Sequence, residues 1–228
     1  MQNKNLLLGD FEMNRGDLLQ VFSASLGRAL LIQRTCAEII ANQDWELQFS
    51  AGEIRFGTKK YPLQFIGSES NQSNTWMWGW NNINNFPDSV IRLAQAARDF
   101  GERHHLAELK NPQLQINDIN NGLILSVIAC NLSEQNYCYF RVPHEHGNIW
   151  VAFSEIPEPQ TLGAAQIMSV ILDSIQKYDL DHRLFLQAFL TQNGTSFENG
   201  ATRITAQLDQ KIVADFDDKG RIISMNLQ

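Results

Sequence analysis

The sequence predicts an α+β fold, a mainly antiparallel sheet with packed helices, followed by a C-terminal appendage of a helix hairpin and strands. Three observations carry this. The spacing of apolar residues changes from three or four to two at Asn42, and each later change of period is marked by Gly, Pro or Asn. Successive strands follow one another through short turns, which pairs neighbours antiparallel. With 228 residues, 43% apolar and 19% charged, there is material for a proper core and room for one large domain, or one plus a modest extension.

Each element has its own warrant. From Asp17 to Asn42 the residues Leu18, Leu19, Phe22, Leu26, Leu30, Ala37 and Ile40 recur at helical steps and predict one long amphipathic helix. Asp17 suits its cap, and Arg15, Gln20, Arg28, Gln33 and Arg34 suit its wet side. Gly27 weakens it by about 1 kcal/mol relative to Ala. Trp45, Leu47 and Phe49 then alternate with polar neighbours, and Ala51-Gly52-Glu53 turns the chain. Ile54 and Phe56 resume the alternation, and Leu63 to Gly67 follow a turn over Gly57 to Lys60. A fourth strand, Thr75 to Asn81, carries Trp76, Trp78 and Trp80 on one face.

Asp88 to His104 reads as a helix with Pro87 near its start and Val90, Leu93, Ala94, Ala97 and Phe100 inward. Gly122 to Leu132 is almost wholly apolar, so period alone does not separate helix from buried strand; the Asn120-Asn121 start, Ala129 and the length favour a helix. Two strands, Tyr137 to Val142 and Ile149 to Phe153, are joined through Pro143-His144-Glu145-His146-Gly147-Asn148. Pro157-Glu158-Pro159 can readily continue neither kind of element, so it divides 1–156 from 157–228. Beyond it Leu162 to Tyr178 and Leu180 to Gln192 have helical spacing, and Ala201 to Gln228 reads as two or three strands with a tight turn at Asp217-Asp218-Lys219-Gly220.

Charge narrows the function classes. The formal charge is −7 and is shared: 1–156 holds 12 basic and 16 acidic residues, 157–228 holds 6 and 9. No basic stripe is visible, which argues against nucleic acid and against an anionic membrane surface. Lys59-Lys60, the only adjacent basic pair, reads as a solvated turn. The N-terminal Leu6-Leu7-Leu8 is far shorter than the apolar run of a signal peptide or a spanning helix. Cys36, Cys130 and Cys138 are odd in number and dispersed, as reduced thiols are, so the expected address is the cytoplasm.

Candidate chemistry is sparse. Trp76-Met77-Trp78-Gly79-Trp80 has two readings: a stacking platform for a sugar or a base, backed by Asn81 and Asn82, or a core face packed on the first helix, and the second is the commoner use of large aromatics. His144-Glu145-His146 offers two imidazoles, but Gly147-Asn148 follows at once and makes a solvated hairpin turn the better reading than a metal site. Asp215 to Ile222 imitates an EF-hand loop yet has Lys219 in place of a ligand and Asn226 where the bidentate Glu belongs. Glu102 and His105 at i,i+3 offer an acid–base pair on one helix face, but near a helix C-terminus a solvated pair is the better reading. No nucleophile elbow, phosphate loop or dinucleotide motif is present. No catalytic residue, metal or cofactor is therefore assigned.

The runs Trp45 to Phe56, Leu63-Gln64-Phe65-Ile66-Gly67, Trp76-Met77-Trp78-Gly79-Trp80-Asn81-Asn82, Phe100-Gly101-Glu102 and Leu109 to Pro112 resemble an uncharacterised bacterial family catalogued as domain of unknown function 6882. The resemblance covers about residues 17–156, and its distinctive string is W-x-W-x-W-x-N, at Trp76, Trp78, Trp80 and Asn82. It implies a domain boundary and a bacterial cytoplasmic setting, and no mechanism.

The expected function is a non-enzymatic binding or protein-interaction module, acidic enough to take a basic protein partner as an immunity protein takes a toxin. The alternative is a small-molecule or carbohydrate-binding enzyme, in which Trp76, Trp78, Trp80, Asn82, Glu102 and His144 surround a small polar ligand.

Overall fold

The computed structural model describes Leu8 and residues 11–228. It is an α+β protein with, among the described residues, six helices and antiparallel sheets: α1 (Leu18–Ile40), β1 (Trp45–Gln48), β2 (Glu53–Phe56), β3 (Lys59–Ser70), β4 (Thr75–Trp78), α2 (Arg92–His104), α3 (Ala107–Lys110), β5 (Gln113–Gln115), α4 (Gly122–Asn131), β6 (Cys138–His144), β7 (Gly147–Phe153), α5 (Ala164–Lys177), α6 (His182–Gln192), β8 (Phe197–Asn199), β9 (Arg203–Gln207), β10 (Lys211–Phe216) and β11 (Ile222–Leu227). Among the described residues no helix is long and apolar enough to cross a membrane.

The chain divides into two compact units, one made of residues up to Leu31 together with Gln160–Gln228, the other of Ile32–Pro159. The second division lies beside Pro157-Glu158-Pro159. The first falls inside α1, which periodicity alone does not reveal.

In the unit Ile32–Pro159 a seven-stranded sheet runs β1-β2-β3-β4-β5, with β7 also on β3 and β6 outside β7. The twelve-residue β3 holds it together, pairing with β2 along Lys59–Pro62 and with β7 along Leu63–Ser70. Lys59 and Lys60 therefore open this strand rather than forming a turn; the positive φ of Gly57 makes the turn earlier. Ile32 and Cys36 of α1 join Ile54, Phe56, Leu63, Phe65, Val151 and Phe153 in one core. On the other side of the domain α4 packs against α2, β3, β6 and β7. It is buried almost all round, which is why its sequence lacks a polar face. Asn121 caps it by accepting from the Ile124 N–H at 3.2 Å.

The other unit builds a four-stranded sheet, β11-β10-β9-β8, with α5 against β10 and β11. Residues 21–29 of α1 are buried on every side, Arg28 included at 5% exposure, which corrects the expectation that Arg28 lies in water. The small residues of Ser23-Ala24-Ser25 and Gly27 permit this. Ser23 and Ser25 donate to Leu19 O and Val21 O at 2.7 Å, so their hydroxyls need no outside acceptor. Gly27 lets α6 come close: a Cβ there would stand 2.9 Å from Phe189 Cα. Gln192 of α6 donates to Ala24 O at 3.0 Å, and the rings of Phe22 and Tyr178 meet edge to face at 5.7 Å.

Candidate functional site

The tryptophan string is assembled by register. Gly67 of β3 stands opposite Trp78 of β4 and, across a bulge, opposite Trp150 of β7; Glu69 stands opposite Trp76 and Asn148. Directly paired residues share a face, so three indoles and one carboxylate lie together on one side of the sheet. Trp76 is 0% and Trp78 1% exposed, their rings edge to face at 5.3 Å. Gly67 makes room: a Cβ there would collide with the Trp76 ring. Trp78 donates through Nε1 to Glu108 O at 2.8 Å, and its N–H donates to Pro112 O at 3.0 Å, which fastens the α3 segment to β4. Gly101 completes that joint, since a Cβ on α2 would stand 2.6 Å from Leu109 Cβ.

Trp80 does not continue the strand. β4 ends at Trp78, and Gly79–Asn81 form a single 3-10 turn. The cause is local: Gly79 backs onto Phe65 O, 2.7 Å from where its Cβ would be, and Asn82 takes a left-handed φ of 46°. Trp80 thus turns away to lie under Arg98, whose guanidinium carbon is 5.0 Å from the ring centre, and Arg98 is paired with Glu102 at 2.8 Å. Glu102 itself is half exposed on α2.

Asn82 holds the next loop by two reciprocal bonds, donating to Phe86 O at 2.9 Å and accepting from the Phe86 N–H at 2.8 Å. The loop between them exposes Ile83 to 65%. Beneath it Phe65, Ser68, Met77, Trp78, Asn82 and Ile83 line an open cleft of about 50 Å³. Small-molecule sites usually offer about 300 Å³ or more, so this cleft admits a side chain rather than a sugar ring.

The six candidates therefore fall into separate places. Trp78 and Asn82 meet at the cleft, Trp80 and Glu102 are bridged by Arg98, and Trp76 lies in the core. His144 ends β6 on an exposed hairpin, where its Nδ1 accepts from the His146 N–H at 3.2 Å. Among the described residues no group of three or more His, Cys, Asp or Glu is placed to hold a metal. The three cysteines are buried free thiols; burial pushes the Cys138 thiol well above its ordinary pKa, and its Sγ donates to Gln33 Oε1 at 3.4 Å.

Two polar residues gain a role that the sequence does not signal. Glu69 accepts from the first N–H of α4, that of Gly122, at 2.8 Å and from Asn148 Nδ2 at 2.9 Å. The indole N–H of Trp150, buried and without a partner, lies beside the same glycine. Gln64 donates to Ser89 O at 2.7 Å and accepts from the Leu93 N–H at 3.2 Å, tying the start of α2 to β3. A lone Glu in Ser-Glu-Ser and a Gln in an apolar strand carry no motif that would have found them.

Comparison with known proteins places this geometry in a group. A family model described as a family of unknown function (DUF6882) matches residues 19–156, a span that holds all six candidates, and the chain belongs to that family. No curated protein and no solved structure matches.

Proposed function

We propose that the protein is a non-enzymatic binding module that engages a protein partner through the Asn81–Asn85 loop and the cleft beneath it. The observation that carries this is the exposed Ile83 held on a loop that the Asn82–Phe86 bonds fix in place. A rigid apolar tip pays little ordering entropy on binding. The neutral amides of Asn81, Asn82, Asn84 and Asn85 surround it without a charge to desolvate. Met77 and Trp78 in the cleft supply soft apolar lining for one inserted side chain. The net charge of −7 steers a basic partner toward the molecule from a distance. The cell is proposed to be bacterial, as the family resemblance implies, and the compartment the cytoplasm, as the dispersed cysteines suggest.

The small-ligand reading retains one supporting observation, the meeting of Trp78 and Asn82 at the cleft. The two readings separate in one experiment. A photo-crosslinking residue at Ile83 is expected to capture a protein in the native cell extract. The variant Ile83→Asp is expected to lose that partner in co-purification while the thermal midpoint stays within a degree or two of wild type, roughly the cost of a surface change. A partner retained fully by Ile83→Asp, or backbone-resonance shifts at Asn82 caused by monosaccharides alone, refutes the protein-partner reading.

A further inference from the structure

Asparagine followed by glycine is a reactive pair, because a residue without a Cβ lets its backbone nitrogen approach the side-chain amide carbon before it. Three such pairs occur here, Asn121-Gly122, Asn193-Gly194 and Asn199-Gly200. Attack closes a five-membered imide, and it is helped by a base that takes the glycine N–H proton and by donors on the amide oxygen as it gains charge. The three sites differ in what they supply.

Asn193 is buried at 3% exposure, its Oδ1 accepting from the Leu162 N–H at 2.7 Å and its Nδ2 donating to Leu162 O at 3.0 Å. The Gly194 N–H donates to Thr191 O at 3.0 Å, a peptide carbonyl and so no base. Asn199 is exposed and its Oδ1 accepts from Arg183 Nη1 at 2.8 Å, but the Gly200 N–H again donates to a carbonyl, Arg203 O, at 2.8 Å. At Asn121 a carboxylate holds the reacting nitrogen: the Gly122 N–H donates to Glu69 Oε1 at 2.8 Å, within the reach of a general base. The Asn121 Oδ1 accepts from the Ile124 N–H at 3.2 Å, in the first turn of α4, where the helix dipole favours negative charge. Asn121 is partly exposed, which gives water and a leaving amine a path.

We propose that Asn121 is a self-modification site, deamidated and isomerised in the folded protein with Glu69 as the base. Glu69 removes the Gly122 proton as the nitrogen bonds to the Asn121 Cγ. The bond from Cγ to Nδ2 then breaks, and the amide nitrogen leaves as ammonia with the proton that Glu69 returns. Water opens the imide at either carbonyl and leaves an aspartyl or a β-linked isoaspartyl residue at position 121. One water is consumed and one ammonia released, with no oxidant or reductant. Either product alters the start of α4. The aspartyl form sets a second carboxylate near Glu69. The isoaspartyl form adds a main-chain carbon next to Gly122, which is packed so closely that a Cβ there would collide with the Trp150 indole.

The test is peptide mapping by mass spectrometry of the full chain incubated at neutral pH, folded and in urea. In urea the three peptides are expected to react at similar rates, since each carries the same reactive pair. In the folded protein the Asn121 peptide is expected to exchange amide for acid, with an isoaspartyl isomer, about tenfold faster than those of Asn193 and Asn199. Glu69→Gln keeps an oxygen for the Gly122 N–H but no base, and is expected to slow Asn121 about tenfold in the folded protein and not at all in urea. A variant that merely loosened the fold would speed the reaction toward its rate in urea, so the sign of the change separates a base from a structural role. Asn121 reacting no faster than Asn199 in the folded wild type, or Glu69→Gln leaving its rate unchanged or raised, overturns the proposal.

Discussion

Both compact units use a carboxylate to hold the first N–H of a helix, one from a strand and one from a turn, and they do it differently. In Ile32–Pro159, Glu69 reaches the Gly122 N–H of α4 at 2.8 Å from within a half-buried setting, shares its second oxygen with Asn148, and lies on the face of Trp76, Trp78 and Trp150. In the other unit Asp209, on the β9–β10 turn, reaches the Ala164 N–H of α5 at 2.8 Å and is open to solvent. The first arrangement is sealed by aromatic packing, and the second is exchanged readily for water. The same motif should therefore be costly to remove in one place and cheap in the other.

The sharpest way to break this contrast is to remove the packing. Trp78→Ala deletes a fully buried indole and its bond to Glu108 O, and is expected to cost about 3–5 kcal/mol, read as a fall in the urea midpoint. A loss near that of an exposed substitution would show that the indole face does not seal Glu69. Next in size, Glu69→Ala leaves the Gly122 N–H and Asn148 without their acceptor and should cost about 1–3 kcal/mol in the same assay.

Asp209→Ala should cost visibly less than Glu69→Ala, and equal losses would sink the comparison. Its pH signature also differs in sign from that of a base. The Ala164 N–H holds the Asp209 carboxyl below its ordinary value, so its contribution is complete above that value and disappears as pH falls through the lowered one.

The smallest effect belongs to His182. Burial holds its imidazole below the ordinary value, opposed by Asp181, Asp179 and Asp217 and reinforced by Arg221, and its Nδ1 accepts from the Ile222 N–H at 3.2 Å. Because the folded form resists protonation, its stabilisation is complete above pH of about 6.5 and declines below it. Denaturant midpoints at pH of about 7.5 and about 5.5 should differ for the wild type, and His182→Gln, which keeps an acceptor, should narrow the difference. A gap of unchanged size in His182→Gln would locate the titration elsewhere.

Much of this architecture was legible in the residues. The change of period at Asn42, the helix from Gly122 and the hairpin at His144 all follow from spacing and turn chemistry. What spacing does not report is who covers whom. Arg28 sits at a position that a helical wheel assigns to water, and only the small residues at 23–25 and 27 hint that the helix is enclosed. Trp80 obeys alternation on paper, yet the close approach of Gly79 to Phe65 O ends the strand before it. The candidate site was legible in part for the same reason. The cleft joins Trp78 to Met77 and Ile83, residues that no periodicity groups together, and Glu69 acts through a partner 53 positions away.

One feature of the division has a bearing on synthesis. Ile32–Pro159 is continuous in sequence and has its own core, whereas the other unit is assembled from residues up to Leu31 and from Gln160 onward. On a ribosome the continuous unit has all its parts once Pro159 has emerged. The split unit must wait for the residues from Gln160 onward while its N-terminal strip, Phe22 and Ala24 included, remains without Tyr178 and Gln192. Early folding of the insert also brings the two ends of a long loop under control before they must meet, which lowers the entropy that closing it would otherwise cost. The order in which the two units have all their parts is thus written into the topology.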